Sequence, residues 1–364
     1  MSRLTIQIVI ASVALLSVLV VGAARAGDGV FEINMACATS GAGCFPGDTG
    51  GFPVTVTQSG SYRLTGNLNV TENQTAILIQ ADDVSIDLAG FAILGPNTCS
   101  FTGSAFVCTS PGVGRGITRG NALINGTTVR NGVIRGMGQF GIFLWARARV
   151  QDVTVEDNGA SGLLVSQNSI VERSISRLNA NHGVAMGDSS IAANCVISDN
   201  FGVGISFGGQ GTVLGSNISN NRGGGIVSGG GVITDNVVKD NGASTSAPAI
   251  FLFGWGVVRS NDVSFNRGPG ISIDAAAVLA DNQVTNNGGC GAELGAVSGQ
   301  ASTLGGNVFV GNNTANTCNG NNFGNQKQIR GVAFASTCNV TTCSNASLTL
   351  PGSFCPPNTP SCPP

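Results

Sequence analysis

One spacing governs this chain. Gly141-Ile142, Gly162-Leu163, Gly183-Val184, Gly204-Ile205, Gly225-Ile226, Ala249-Ile250, Gly270-Ile271 and Gly291-Ala292 follow one another in steps of 21 residues, with a single step of 24 before Ala249. A period this strict means a stack of equivalent units. Four residues before most of these glycines stands an asparagine: Asn158, Asn179, Asn200, Asn221, Asn266 and Asn287, with Asn241 displaced by an insertion.

Within the unit, apolar residues fall in columns. Ile142, Leu163, Val184, Ile205, Ile226, Ile250 and Ile271 follow the glycines, and two residues further on come Leu144, Val165, Met186, Phe207, Ser228, Leu252 and Ile273. Alternation at period two is a strand with one face inward. A second column runs through Val155, Ile197, Ile218, Val238, Val263 and Val284, with Ser176 as its polar member, and a third through Val150, Val171, Ala192, Val213, Ile233, Val258 and Leu279. Three short strands per 21 residues, divided by Gly and Asn turns, describe one coil of a parallel β-helix. A helical solenoid is excluded, because 55 glycines among abundant Val, Ile, Asn and Ser cannot sustain helices. The L-x-x-L-x-L signature of leucine-rich repeats is also missing. A coil alone cannot offset the cost of ordering its backbone, so coils must stack. Val153, Ser174, Cys195, Ser216, Asn236, Asn261 and Asn282 share the inward parity. Buried asparagines at this position are expected to hydrogen-bond from coil to coil.

The chain divides accordingly. Residues 1–26 read as a secretory signal, with Arg3, an apolar stretch from Ile8 to Val21 and Ala24-Arg25-Ala26 as a small-x-small cleavage site. Residues 27–53 are the expected N-terminal cap, 54–314 a β-helix of about ten or eleven coils, and 315–364 a Cys-, Asn- and Pro-rich C-terminal cap and tail. Insertions fall at 97–114 and 242–248. Of eleven cysteines, ten are expected in disulfides, as Cys37 with Cys44, Cys99 with Cys108, Cys338 with Cys343, Cys355 with Cys362, and Cys290 with Cys318 across neighbouring turns. Cys195 is left as a buried thiol. Export, to a secreted or periplasmic location, agrees with this cysteine usage.

The run from Ala81-Asp82-Asp83-Val84-Ser85-Ile86-Asp87-Leu88-Ala89-Gly90-Phe91 through Thr128-Val129-Arg130-Asn131-Gly132-Val133-Ile134-Arg135-Gly136 into the coils resembles the exported bacterial right-handed parallel β-helix proteins of the pectin-lyase-like superfamily. The resemblance covers about residues 54–314 and implies the fold. It leaves activity open, because that superfamily holds lyases, hydrolases, epimerases and adhesins. The Gly-His-Gly and paired-aspartate pattern of polygalacturonases is absent, Asn181-His182-Gly183 being the nearest match. Arg267-Gly268-Pro269 breaks off the R-x-P-x-x-R of pectate lyases, and the Asp-Pro-His of alginate epimerases is missing.

Two groups of residues are candidates for function. His182 lies in a turn one coil after that of Asp157 and one before that of Asp199, with Arg177 close by. Two carboxylates flanking a histidine, with an arginine to neutralise a uronate, would suit general acid/base chemistry, and a solvated turn histidine among ordinary turn aspartates is the other reading. The second group is apolar and outward-facing: Phe143 and Trp145, then Phe251, Phe253 and Trp255 about five coils on. Such a stripe needs a cover, either from the chain's own insertions or tail, from another subunit, or from a glycan stacked on the rings. Cofactors are not expected, nor a metal site, since the single histidine is far from every cysteine pair. A net charge of -2 with 10% charged residues offers no surface for nucleic acid. No membrane span is expected after signal cleavage. The leading expectation is a non-catalytic extracellular or cell-envelope structural or binding module for a glycan or surface, able to self-associate through the apolar face. The alternative is a polysaccharide-modifying lyase, hydrolase or epimerase.

Overall fold

Each coil folds as its columns require. The computed structural model describes residues 29–331 apart from 104, 121–123, 295–302, 313, 315–320 and 324–325. The expected signal, Cys318 and the tail cysteines Cys338, Cys343, Cys355 and Cys362 lie outside these residues. The chain divides into two units after Val30, and the account that follows concerns the second, Phe31–Pro364.

A coil passes through two strands of one sheet, here sheet A, and then one strand of sheet B. In the first regular coil the two sheet A segments form a single strand, Arg149–Glu156, bent at Asp152, whose φ is 54°. In the next they separate into Ile170–Glu172 and Ile175–Arg177, and sheet B continues from Leu163–Val165 to Val184–Met186. In the left-handed conformation a short column runs through Arg147, Asn168 and Ser189, and two longer ones follow. One passes through Asp152, Arg173, Asn194, Gly215 and Asp235, and the other through Asp157, Leu178, Asp199, Asn220, Asp240, Phe265 and Asn286. Asn, Asp and Gly tolerate that region best, so the backbone alone accounts for the recurrence of Asp and Asn there.

Sheet B is twelve parallel strands deep, from Val54–Val56 to Gln326–Gly331. Its register follows the column Ile142, Leu163, Val184, Ile205, Ile226, Ile250, Ile271, Ala292. The stack exceeds the expected ten or eleven coils because Gln326–Gly331 pairs with Ala292–Leu294, Ile329 opposite Ala292. That strand lies too far along the chain to be found by a 21-residue period.

All three apolar columns are inward and form one continuous core. The repeated glycine faces it closely: a Cβ on Gly183 would lie 2.4 Å from Ile197 Cγ2, and one on Gly204 2.6 Å from Ile218 Cγ2. Two ladders of buried asparagine run up the stack. In the inward position the Nδ2 of Asn236 donates to Asn261 Oδ1 (3.0 Å), Asn261 to Asn282 (2.9 Å) and Asn282 to Asn307 (2.8 Å). The turn asparagines form a longer one, Asn158 to Asn179, Asn200, Asn221, Asn241, Asn266, Asn287 and Asn312, with links of 2.8 to 3.1 Å. Asn241, expected out of step, keeps its rung because the insertion at 242–248 follows it and loops out.

At the N-terminal end the short helix Met35–Thr39 is capped by Asn34, whose side chain accepts the Cys37 amide. Ile33, Ala38 and Phe45 join the core, and Phe31, Phe45 and Tyr62 pack ring to ring within 5.4 Å. Cys37 is bonded to Cys44, and Cys99 to Cys108. Cys290 is disulfide-bonded as well. Cys195 is the buried free thiol, and burial pushes it up to about 11. These bonds fit an oxidising compartment.

Candidate functional site

Phe143 and Phe251 stand on the outer face of sheet B, with Trp145, Phe253 and Trp255 just beyond the ends of their strands. Its outward column runs through Thr118, Phe143, Leu164, Ala185, Ser206, Val227, Phe251, Ser272 and Glu293 in continuous register. The first group is already covered, and by cations of this chain. The Arg119 guanidinium lies 4.2 Å from the Trp145 ring and 4.7 Å from that of Phe143, while Arg115 lies 4.7 Å from Phe143 and 5.5 Å from Phe140. Phe140 and Phe143 pack at 5.4 Å. Each such contact contributes about 0.5 to 2 kcal/mol. Arg115 also donates from Nε to Gln139 Oε1 (2.7 Å) and from Nη1 to Thr118 Oγ1 (3.3 Å).

Neither arginine has a carboxylate within 4.0 Å among the described residues, and the Arg119 Nε is buried without a hydrogen-bond partner. Burial lowers the affinity of both guanidiniums for their proton, and Arg119 adds a like charge beside Arg115. Five arginines on the sheet A side behave differently, although Arg63 and Arg259 there also have no ion pair among the described residues. Arg130 pairs with Asp87, Arg149 with Glu172, Arg173 with Asp152 and Glu172, and Arg135 and Arg177 with Glu156. Arg115 and Arg119 escaped the sequence reading, which followed aromatic residues along the column. The signal was present: both precede the strict repeat, on the rung below Phe143.

The second group is open. Phe251 and Phe253 pack at 4.4 Å, and Phe253 and Trp255 are 56% and 54% exposed. Between the two groups the outward column passes through Leu164, Ala185, Ser206 and Val227, and the next one through the smaller Ser166, Gly187, Gly208 and Gly229. Phe143 and Phe251 are five strands apart in the outward column, about 24 Å along the solenoid axis.

The residues around His182 are individually engaged. His182 Nδ1 accepts the Val203 amide at 3.1 Å, and burial holds the imidazole below its usual range. Among the described residues no hydrogen bond or ion pair joins it to Asp157 or Asp199. Arg177 donates from Nε to Glu156 at 2.7 Å. Asp157 lies under the insertion: the strands Cys99–Thr102 and Ala105–Cys108 form a hairpin, and the Cys99 amide donates to Asp157 Oδ1 at 3.3 Å. Burial and the neighbouring Glu156 raise the Asp157 carboxyl, against the Cys99 bond and the charges of Arg135 and Arg177. Further along, Phe106 stacks on Phe201 and Arg222 sits 4.4 Å over Phe101 while donating to Gly103 O. The insertion therefore covers this turn edge. Among the described residues, no group of three or more His, Cys, Asp or Glu could hold a metal ion, and no helix is long and apolar enough to cross a membrane.

Residues 54–214 match the family described as right handed beta helix region. No curated protein matches the chain by sequence. Among solved structures, the A-module of the mannuronan C-5 epimerase AlgE4 of Azotobacter vinelandii superposes with a TM-score of 0.51 at 16% identity, over 75% of this chain and 86% of that one. The pectate lyase Pel9A gives 0.49 at 14% identity, over 74% and 78%. Likeness at these identities is one of fold.

Proposed function

For a chain whose residues 54–214 form a right-handed β-helix region, we propose the role of a non-catalytic extracellular or periplasmic module that holds a glycan against the outer face of sheet B. The observation that carries this reading is the open pair Phe253 and Trp255, just beyond the strand whose Phe251 shares an outward column with Phe143. Aromatic faces suit the apolar faces of sugar rings, and the indole N–H of Trp255 adds a hydrogen-bond donor for a hydroxyl. The engaged state of His182 and Arg177 speaks for binding without turnover. Self-association through the same face is the competing use of the stripe.

The enzymatic reading has Asp157 in its favour, a carboxyl held above its usual range and so suited to give up a proton. One set of experiments separates the two. The purified protein is titrated with acidic and neutral polysaccharides, and polymer length and product mass are followed in parallel. Phe253→Ala and Trp255→Ala are each expected to weaken binding by about fivefold or more, with His182→Asn binding as the parent does. Shortened chains or unsaturated ends, lost in Asp157→Asn, would overturn the non-catalytic reading. A dimer in sedimentation that dissolves in Trp255→Ala, without any glycan binding, would transfer the face to self-association.

A further inference from the structure

We propose that Arg115 and Arg119 form an oxyanion subsite on the outer face of sheet B, and that it receives an anionic substituent of a glycan, a carboxylate or a sulfate. The glycan part of this inference rests on the binding reading above. The site itself rests on geometry. Two guanidiniums share the Phe143 ring at 4.7 Å each, without a carboxylate beside either. The Arg119 guanidinium makes no hydrogen bond to any described residue, and its Nε is buried and unpartnered. Arg115 is oriented by Gln139 and Thr118, which leaves further N–H groups free.

Two like charges held together on apolar rings, partly stripped of water, are unfavourable until an anion joins them. A planar arginine fork matches a carboxylate with two parallel hydrogen bonds and also accommodates a sulfate. The rings serve as the floor. Phe140, Phe143 and Trp145 fix both guanidiniums in place, so little ordering remains to be done when the ligand arrives. Phe143, in the subsite, is about 24 Å along its outward column from Phe251, beside the open pair Phe253 and Trp255, a span that one extended acidic chain covers.

Trp145 reports on the site directly, since Arg119 lies on its ring. Trp255→Phe leaves Trp145 as the only tryptophan. In that background, fluorescence is titrated with a uronic-acid oligosaccharide, a sulfated oligosaccharide and a neutral one of equal length. The expected result is a saturable change with one or both charged sugars and none with the neutral one, weakened by added salt. Arg119→Gln should lower that affinity about tenfold to a hundredfold, and Arg115→Gln should do so independently should the first variant melt early. A neutral sugar acting as well as a charged one, or undiminished affinity in a folded Arg119→Gln protein, would overturn the subsite.

Failure here is distinct from failure of the binding reading. Polymer binding to the parent protein that depends on Phe253 but not on Arg119 removes the subsite and keeps the module. Short anionic sugars that act through Arg119 while no polymer binds keep the subsite and remove the module.

Discussion

His182 is built to stay neutral. Its Nδ1 accepts the Val203 amide, so a proton on that nitrogen would break the bond and place a charge in a partly dehydrated turn. The folded pKa is below the unfolded value of 6.5. Between the two, the unfolded chain binds the proton and the folded one does not, so stability is intact above about pH 6.5 and falls as pH drops through that window. The unfolding midpoint should therefore decline from pH 7.5 to 5.5, and His182→Asn, which retains an acceptor without a proton to gain, should flatten the decline. The histidine is the only one in the chain, so an unchanged slope in the variant would refute the assignment. At this scale the sequence was a partial guide. It marked His182, Asp157 and Asp199, but Asp157 and Asp199 sit where the left-handed backbone favours Asp or Asn in most coils. The unpaired state of Arg115 and Arg119 depends on which carboxylates come near, and no spacing reveals that.

Ladders and hairpins belong to the scale of elements. Asn221 accepts from the Asn200 backbone (3.2 Å) and side chain (2.9 Å), and donates to Ile197 O, Ser219 O and Asn241 Oδ1. Replacing it with Ala leaves at least two buried groups without partners, at about 1 to 3 kcal/mol each. Asn221→Ala should cost about 3 to 5 kcal/mol in urea unfolding and strip the Asn200 amide of its protection from hydrogen exchange. Asn307→Ala, at the half-buried end of the second ladder, should cost clearly less. Equal losses, or a protected Asn200 amide, would show that the ladder is not a mid-stack support. The inward ladder was legible from parity. The turn ladder was not, because an asparagine before a glycine reads equally well as an exposed turn residue. The 97–114 insertion was legible as a disulfide-bonded excursion, whereas its docking on Phe201 and Arg222 was hidden, Arg222 and Gly103 being 119 residues apart.

At the scale of the whole stack, each coil packs on its neighbours and the 97–114 insertion reaches further, to Phe201 and Arg222, so stability is approximately a sum over coils and their interfaces with that one longer tie added. That property allows binding to be separated from folding. Deleting 250–270 removes one period, joins Ala249 to Ile271, and brings Ile226 opposite Ile271 with the sheet B register unbroken. Both ladders close again, because Asn236 then meets Asn282 and Asn241 meets Asn287. The new junction also stacks Val238 on Val284 and Ile233 on Leu279, all core residues. The excised coil carries Phe251, Phe253 and Trp255, while the hairpin, Phe201, Arg115 and Arg119 are untouched. The shortened protein should fold with an unchanged strand signature in circular dichroism, be about 4.8 Å shorter along its axis, and lose polymer binding while short charged sugars still reach Trp145. An aggregated or unfolded product would mean that coils are not interchangeable and that the insertion at 242–248 fixes its neighbours. Full polymer binding in a well-folded deletion would place the glycan elsewhere than the Phe253 and Trp255 pair.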